Sequence, residues 1–193
     1  AETTEDLLQF GGVSADEELG APWTDAVRSR LPWLYVNLLT AFAAASVVLV
    51  FSDAIQELKW LAVFMPIIAG MGGNAGTQAL AVSVRRIALG QVPFGHEFRI
   101  VGKEVLVGLA NGFAIALVAG GIGWLAVGPQ FGGVVALAMT LNLAVAGFAG
   151  AFVPLLLERM RIDPAIASSV FVTTFTDMCG FFLLLGMATH FLL

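Results

Sequence analysis

The chain has 193 residues, 59% of them hydrophobic and only 12% charged, with nine Lys and Arg against fourteen Asp and Glu. A soluble domain carries about a quarter charged residues, so this composition leaves too little polar surface to cover a water-soluble globule. The single cysteine rules out a disulfide scaffold or a cysteine-rich zinc module, and the net charge of −5 comes entirely from residues 1–30, since residues 31–193 hold seven acids and seven bases.

Residues 1–31 read as a cytosolic leader. Ser14 and Glu17 have capping-box spacing, and Pro22 stands at the start of a helix running toward Arg30. Residues 32–193 read as an all-α membrane domain with five transmembrane helices near 33–52, 60–84, 104–127, 131–157 and 164–193. Each supplies the roughly 20 apolar residues that a span requires. The first span is no cleavable signal, because thirty largely polar residues precede it.

The second span contains MPIIAGMGGNAGTQAL, where a proline, four glycines, Asn74 and Gln78 interrupt the apolar run. Such an insert is expected to break the helix and line a wet cavity. Asn74 and Gln78 are four residues apart and share a face. The same glycines, Gly72 and Gly76, also suit a close helix crossing, with Asn74 bonding a neighbour. RRIALGQVPFGHEFRIVGK then forms a basic interfacial connection, GPQFGG a tight turn, and ERMRID a short connection before Pro164, a favoured first helical position. Gly108/Gly112 and Gly147/Ala151 mark faces on which helices can approach closely.

The fifth span carries Asp177 within VFVTTFTDMCGFFLLLG. A carboxylate in hydrocarbon costs several kcal/mol unless it meets water, a cation or a partner, so intramembrane acids are functional by default. Counting about 1.5 Å per residue from Pro164 places it roughly 20 Å into the layer, at a depth similar to that of Asn74. Ser169, Thr173 and Asp177 are spaced by four and form one polar stripe. Oxygen ligands suit a hard cation, and His96 and His190 lie at the interfaces. One carboxylate per chain is thin for a dehydrated divalent ion, but Mg2+ retains water readily, and a twofold dimer doubles the charge.

Sidedness follows from Lys and Arg. Arg28, Arg30, Arg85, Arg86, Arg99, Lys103, Arg159 and Arg161 alternate onto one side and only Lys59 onto the other. The amino terminus is expected in the cytoplasm and the carboxyl terminus outside.

PIIAGMGGNAGTQ and DPAIASSVFVTTFTDMCG together resemble the MgtE family of magnesium channels, over the whole chain as that family's transmembrane domain. The resemblance implies a homodimer in a bacterial or archaeal inner membrane, with a central pore lined by the second and fifth helices and Mg2+ flowing inward down its electrochemical gradient. It identifies Asp177 with the family's pore carboxylate and puts Asn74 in the pore-lining motif. Ser169 stands where some relatives carry Asn, and Val170 departs from a proline found in many. Family members also carry cytosolic regulatory domains. The leader acids Asp16 and Glu17 resemble the connector to those domains, and Asp163 resembles an acid at the cytosolic mouth, which implies a gating role for all three.

Two other readings stay open. A cation-coupled exchanger would carry the same motifs. An intramembrane aspartyl enzyme would need a close acid pair and a substrate gate, whereas the sequence offers no second intramembrane Asp and no Ser/His arrangement. A non-enzymatic transporter of Mg2+, open to other divalent cations and without a nucleic-acid partner, is the expectation.

Overall fold

The computed structural model describes residues 22–92, 97–162 and 164–193, with side chains from Ser169 onward in the last segment. The expected roles of Asp16, Glu17 and Asp163, and the Ser14 cap, fall outside these residues. The described part is all-helical: α1 Trp23–Val50, a short α2 Ser52–Glu57, α3 Trp60–Ala88, α4 Glu97–Ala126, α5 Pro129–Arg159 and α6 Pro164–Phe191.

By length and apolar composition α1, α4, α5 and residues 169–191 of α6 can each cross a membrane. α3 is as long, at 29 residues, but its glycines, Asn74 and Gln78 dilute its hydropathy. Several bounds differ from the sequence-based expectation. α1 begins at Trp23, directly after the extended Pro22, and runs through Pro32, so the helix foreseen after Pro22 and the first apolar stretch are one rod. The basic connection is helical at both ends, α3 reaching Ala88 and α4 running from Glu97. Pro164 does open α6.

Sequence explains the helix ends. α3 stops at Gly90, whose φ of +62° lets Gly90 and Gln91 donate back to the Ile87 and Arg86 carbonyls. α5 stops in the same way on Arg161, at φ +61°, with Ile162 donating to Leu157. A non-glycine residue in that left-handed conformation costs about 1–2 kcal/mol.

α3, α5 and α6 form the core, α4 packs on α5, and α1 packs on α6. Contacts fix the directions. Ile68, Gly72 and Gly76 of α3 meet Gly180, Thr176 and Val172 of α6 in turn, so these helices are antiparallel. Gly72 and Gly150 place α3 and α5 parallel, through Asn142 and Ala79 respectively. α4 and α5 approach on glycine: a Cβ at Gly112 would lie 2.9 Å from both Cα and O of Thr140, and one at Gly120 would lie 2.8 Å from the Ala136 Cβ. Gly147 of α5 seats against the Glu104 carbonyl. The small-residue faces seen in the sequence therefore serve packing within one chain. Close dispersion contact is what holds helices together where lipid is as apolar as they are.

The basic residues gather at one end of this up-and-down bundle. There Arg86 lies 3.7 Å from Glu104, and Arg159 lies 3.1 Å from Glu97. Glu104 is 7% exposed, while the adjacent Lys103 points outward. The two residues, which snorkelling would treat alike, have opposite fates.

Candidate functional site

α3 is a two-faced helix. Leu61, Phe64, Ile68, Gly72, Gly76, Ala79 and Leu80 recur at three- and four-residue spacing and are buried against α5 and α6. Gly70, Asn74, Thr77, Gln78 and Ala81 are exposed on the opposite side. The glycine-rich insert does not break the helix, contrary to expectation: residues 60–88 are continuously helical through Pro66 and the GMGGNAG segment. The glycines instead admit neighbours. A Cβ at Gly76 would come 2.7 Å from Val172 Cγ1, and one at Gly72 would collide with the Asn142 amide. The close-crossing reading of Gly72 and Gly76 holds, but Asn74 bonds no neighbour. It stands at the midpoint of α3 with its amide free among the described residues.

α6 carries the acid. Asp177 is half-buried near the middle of this 28-residue helix and has no hydrogen-bond or ion-pair partner among the described residues. Thr173, one turn earlier, donates its hydroxyl to the Ser169 carbonyl at 2.9 Å and the Val170 carbonyl at 3.2 Å. Thr174 donates to Val170 and Thr176 to the Thr173 carbonyl. These hydroxyl protons are satisfied within the helix, which leaves the oxygen lone pairs as acceptors or ligands. Ser169 is half-buried in the same stripe. Cys179 is a free thiol, half-buried, two residues past the acid.

The two polar stretches adjoin at Gly73, where a Cβ would sit 3.9 Å from Thr173 Cγ2. In the antiparallel register set by the Gly72–Thr176 contact, Asp177 lies level with Met71. Asn74 is three residues further along α3, an axial offset of about 4.5 Å. Thr173 of the Asp177 stripe thus borders α3 at Gly73, the residue before the exposed Asn74, and no bond joins Asn74 to Asp177. Among the described residues no group of three or more His, Cys, Asp or Glu converges on a metal-sized space. Any cation beside Asp177 would draw on hydroxyl, amide and water oxygen.

One interior residue escaped the sequence reading. Asn142, in the middle of α5, is 0% exposed and donates to the Ile68 carbonyl at 3.0 Å. The reasoning that found Asp177, a polar group inside an apolar run, applies equally to AMTLNLAVAG.

Comparison with known proteins bears on these features directly. The family model MgtE, described as a divalent cation transporter, matches residues 65–187, a stretch that holds both Asn74 and Asp177. Over 99% of its length the chain is 34% identical to the magnesium transporter MgtE of Enterococcus faecalis and 32% identical to that of Bacillus subtilis, covering 42% and 43% of those proteins. Over 97% of its length it is 31% identical to the Thermus thermophilus protein of the same name, again covering 42% of it. The chain spans about two fifths of the length of these curated relatives. With both midpoint features inside the matched region and a third of all positions shared across the whole chain, it is an integral membrane protein of the MgtE family of divalent cation transporters.

Proposed function

We propose that this chain is the membrane-embedded core of a Mg2+ channel, with the ion passing along the open side of α3 and α6. One observation supports the reading: Asn74 and Asp177 stand at the midpoints of two packed antiparallel helices, and neither side chain has a partner among the described residues. Amide and carboxylate groups left open to lipid at mid-depth are unfavourable. Water, a cation or a second protomer on that face removes the conflict. In this reading α3 is the fifth span, less apolar than the rest because one of its faces is wet.

A homodimer about a twofold axis through this face brings two Asp177 carboxylates to one conduit. Mg2+ prefers octahedral oxygen and gives up water reluctantly, so the pair of acids holds a hydrated ion through retained waters. Asn74, Thr173 and Ser169 supply further oxygens along the path. The basic end of the bundle faces the cytoplasm, which puts the amino terminus inside, the carboxyl terminus outside and the inward membrane potential behind the cation. The relatives' names specify magnesium transport, in keeping with this donor set and with transport rather than catalysis. Regulatory cytosolic domains, with Asp16, Glu17 and Asp163 near the gate, belong to the same proposal.

The test is Mg2+ uptake into proteoliposomes. Asp177→Asn at equal incorporation is expected to lower uptake at least tenfold, and Asp177→Glu to retain part of it. Wild-type uptake by the Asn variant would defeat the assignment of Asp177. Unitary currents in planar bilayers are expected of a channel, whereas obligatory coupling to Na+ would replace it with the exchanger reading.

A further inference from the structure

The place where α3, α5 and α6 meet is filled by Asn142, which is wholly buried. Room for its amide is made on both sides. A Cβ at Gly180 of α6 would come 2.8 Å from Asn142 Nδ2, and one at Gly72 of α3 would overlap it. The Nδ2 group donates to the Ile68 carbonyl, but Oδ1 is buried and has no hydrogen-bond partner among the described residues. A buried acceptor left bare is unfavourable, and an apolar residue of similar shape would fill the same space without that penalty. Packing therefore gives no reason for an amide here.

The facing helix offers a donor. Thr176 is 0% exposed, and its Cβ lies 3.3 Å from the point where a Gly72 Cβ would stand. The Cγ of Asn142 lies 3.2 Å from that same point. The Thr176 hydroxyl now donates to the Thr173 carbonyl at 2.9 Å. Helical threonine divides between two χ1 rotamers, because its hydroxyl has more than one acceptor within reach. Thr176 immediately precedes Asp177 and Gly180 follows it by three, so Asn142 sits close to the acid-bearing helix at positions flanking the carboxylate in sequence.

We propose that Asn142 is a positioning residue for Asp177: it fixes α6 against α3, and its free oxygen accepts the Thr176 hydroxyl in a second orientation of α6. The two orientations exchange one hydrogen bond for another, Thr176 to the Thr173 carbonyl for Thr176 to Asn142 Oδ1. They stay close in free energy, and removing the second bond shifts their ratio roughly two- to tenfold. The inference rests on the reading of Asp177 as the cation-binding group.

The test uses the full chain in lipid vesicles, with Asn142→Leu, Thr176→Val and the double variant. Three quantities are measured: thermal unfolding, Mg2+ uptake, and the rate at which a maleimide labels Cys179, the chain's sole cysteine. Asn142→Leu is expected to melt at or above wild type, yet to lower maximal uptake about two- to tenfold with the half-saturating Mg2+ concentration unchanged. Cys179 labelling should change by a similar factor. Thr176→Val removes the hydroxyl, and with it the bond of both orientations, so uptake and labelling should stay near wild type, and the effect of Asn142→Leu should vanish in the double variant. Wild-type labelling and uptake in a folded Asn142→Leu protein would overturn the proposal, as would independent, additive effects of the two changes. Should Asn142→Leu fail to fold, Asn142→Ala takes its place, and a labelling change that persists undiminished in the Thr176→Val background overturns the proposal. If the wild-type chain transports no Mg2+, the channel reading fails, while the labelling comparison still decides whether the Asn142–Thr176 exchange exists.

Discussion

Two glycines of α3, six residues apart, separate its packing role from its solvent-facing one. At Gly76 a methyl group would come 2.7 Å from Val172 Cγ1, 3.5 Å from Thr176 Cγ2 and 3.8 Å from the Ala146 carbonyl oxygen. Val172 is fully buried and stiff at χ1, so α3 and α6 must part. At Gly70 nothing lies within 4 Å. Both Gly→Ala changes gain about 0.5–1 kcal/mol of helix stability from the restricted unfolded chain. Only Gly76→Ala incurs overpacking, of about 1–3 kcal/mol. The two variants should therefore differ by about 1–3 kcal/mol, a gap of several degrees in apparent melting temperature at this chain length. Thermal unfolding of both proteins in one detergent, with monodispersity checked by size-exclusion chromatography, measures it. Equal melting temperatures, or a greater loss at Gly70, would refute the division of α3 into a packed and an open face.

The same packing sets other expectations. Gly112→Ala should destabilise relative to Gly121→Ala, because its methyl meets the Thr140 backbone whereas Gly121 has open space; the difference, about 1–3 kcal/mol, is read from the same melting curves. Arg86→Gln should cost more than Arg159→Gln. The first leaves Glu104, 7% exposed, without its cation; the second removes an Arg whose side chain is 72% exposed and whose pair contributes under about 1 kcal/mol. Chemical denaturation of the two variants ranks them.

What could be read from the sequence was what appears as a discontinuity in it. Asp177 and Asn74 are conspicuous because an ionic or amide group in an apolar run demands a reason, and Pro164 announces its helix because its ring is preset for the first turn. Asn142 lies in a run that is otherwise ordinary. Its burial follows from where Gly72 and Gly180, 108 residues apart, happen to converge. The glycine-rich segment misled for a related reason. Glycine permits both a broken helix and a close approach, and only the presence of Val172 and Asn142 opposite decides for the second. Likewise Gly108 and Gly112 advertise close packing but not its partner, and nothing near Glu104 in sequence points to Arg86, eighteen residues earlier.

α1 has a single substantial neighbour, α6, and buries only Ala44 among its 28 residues. Just past its carboxyl end, Phe51 meets Phe182 of α6 edge to face, ring centroids 5.9 Å apart. Mechanically it is an outrigger: a sideways push on Trp23–Val50 is borne first by the carboxylate helix, while α3, α4 and α5 can keep their mutual arrangement.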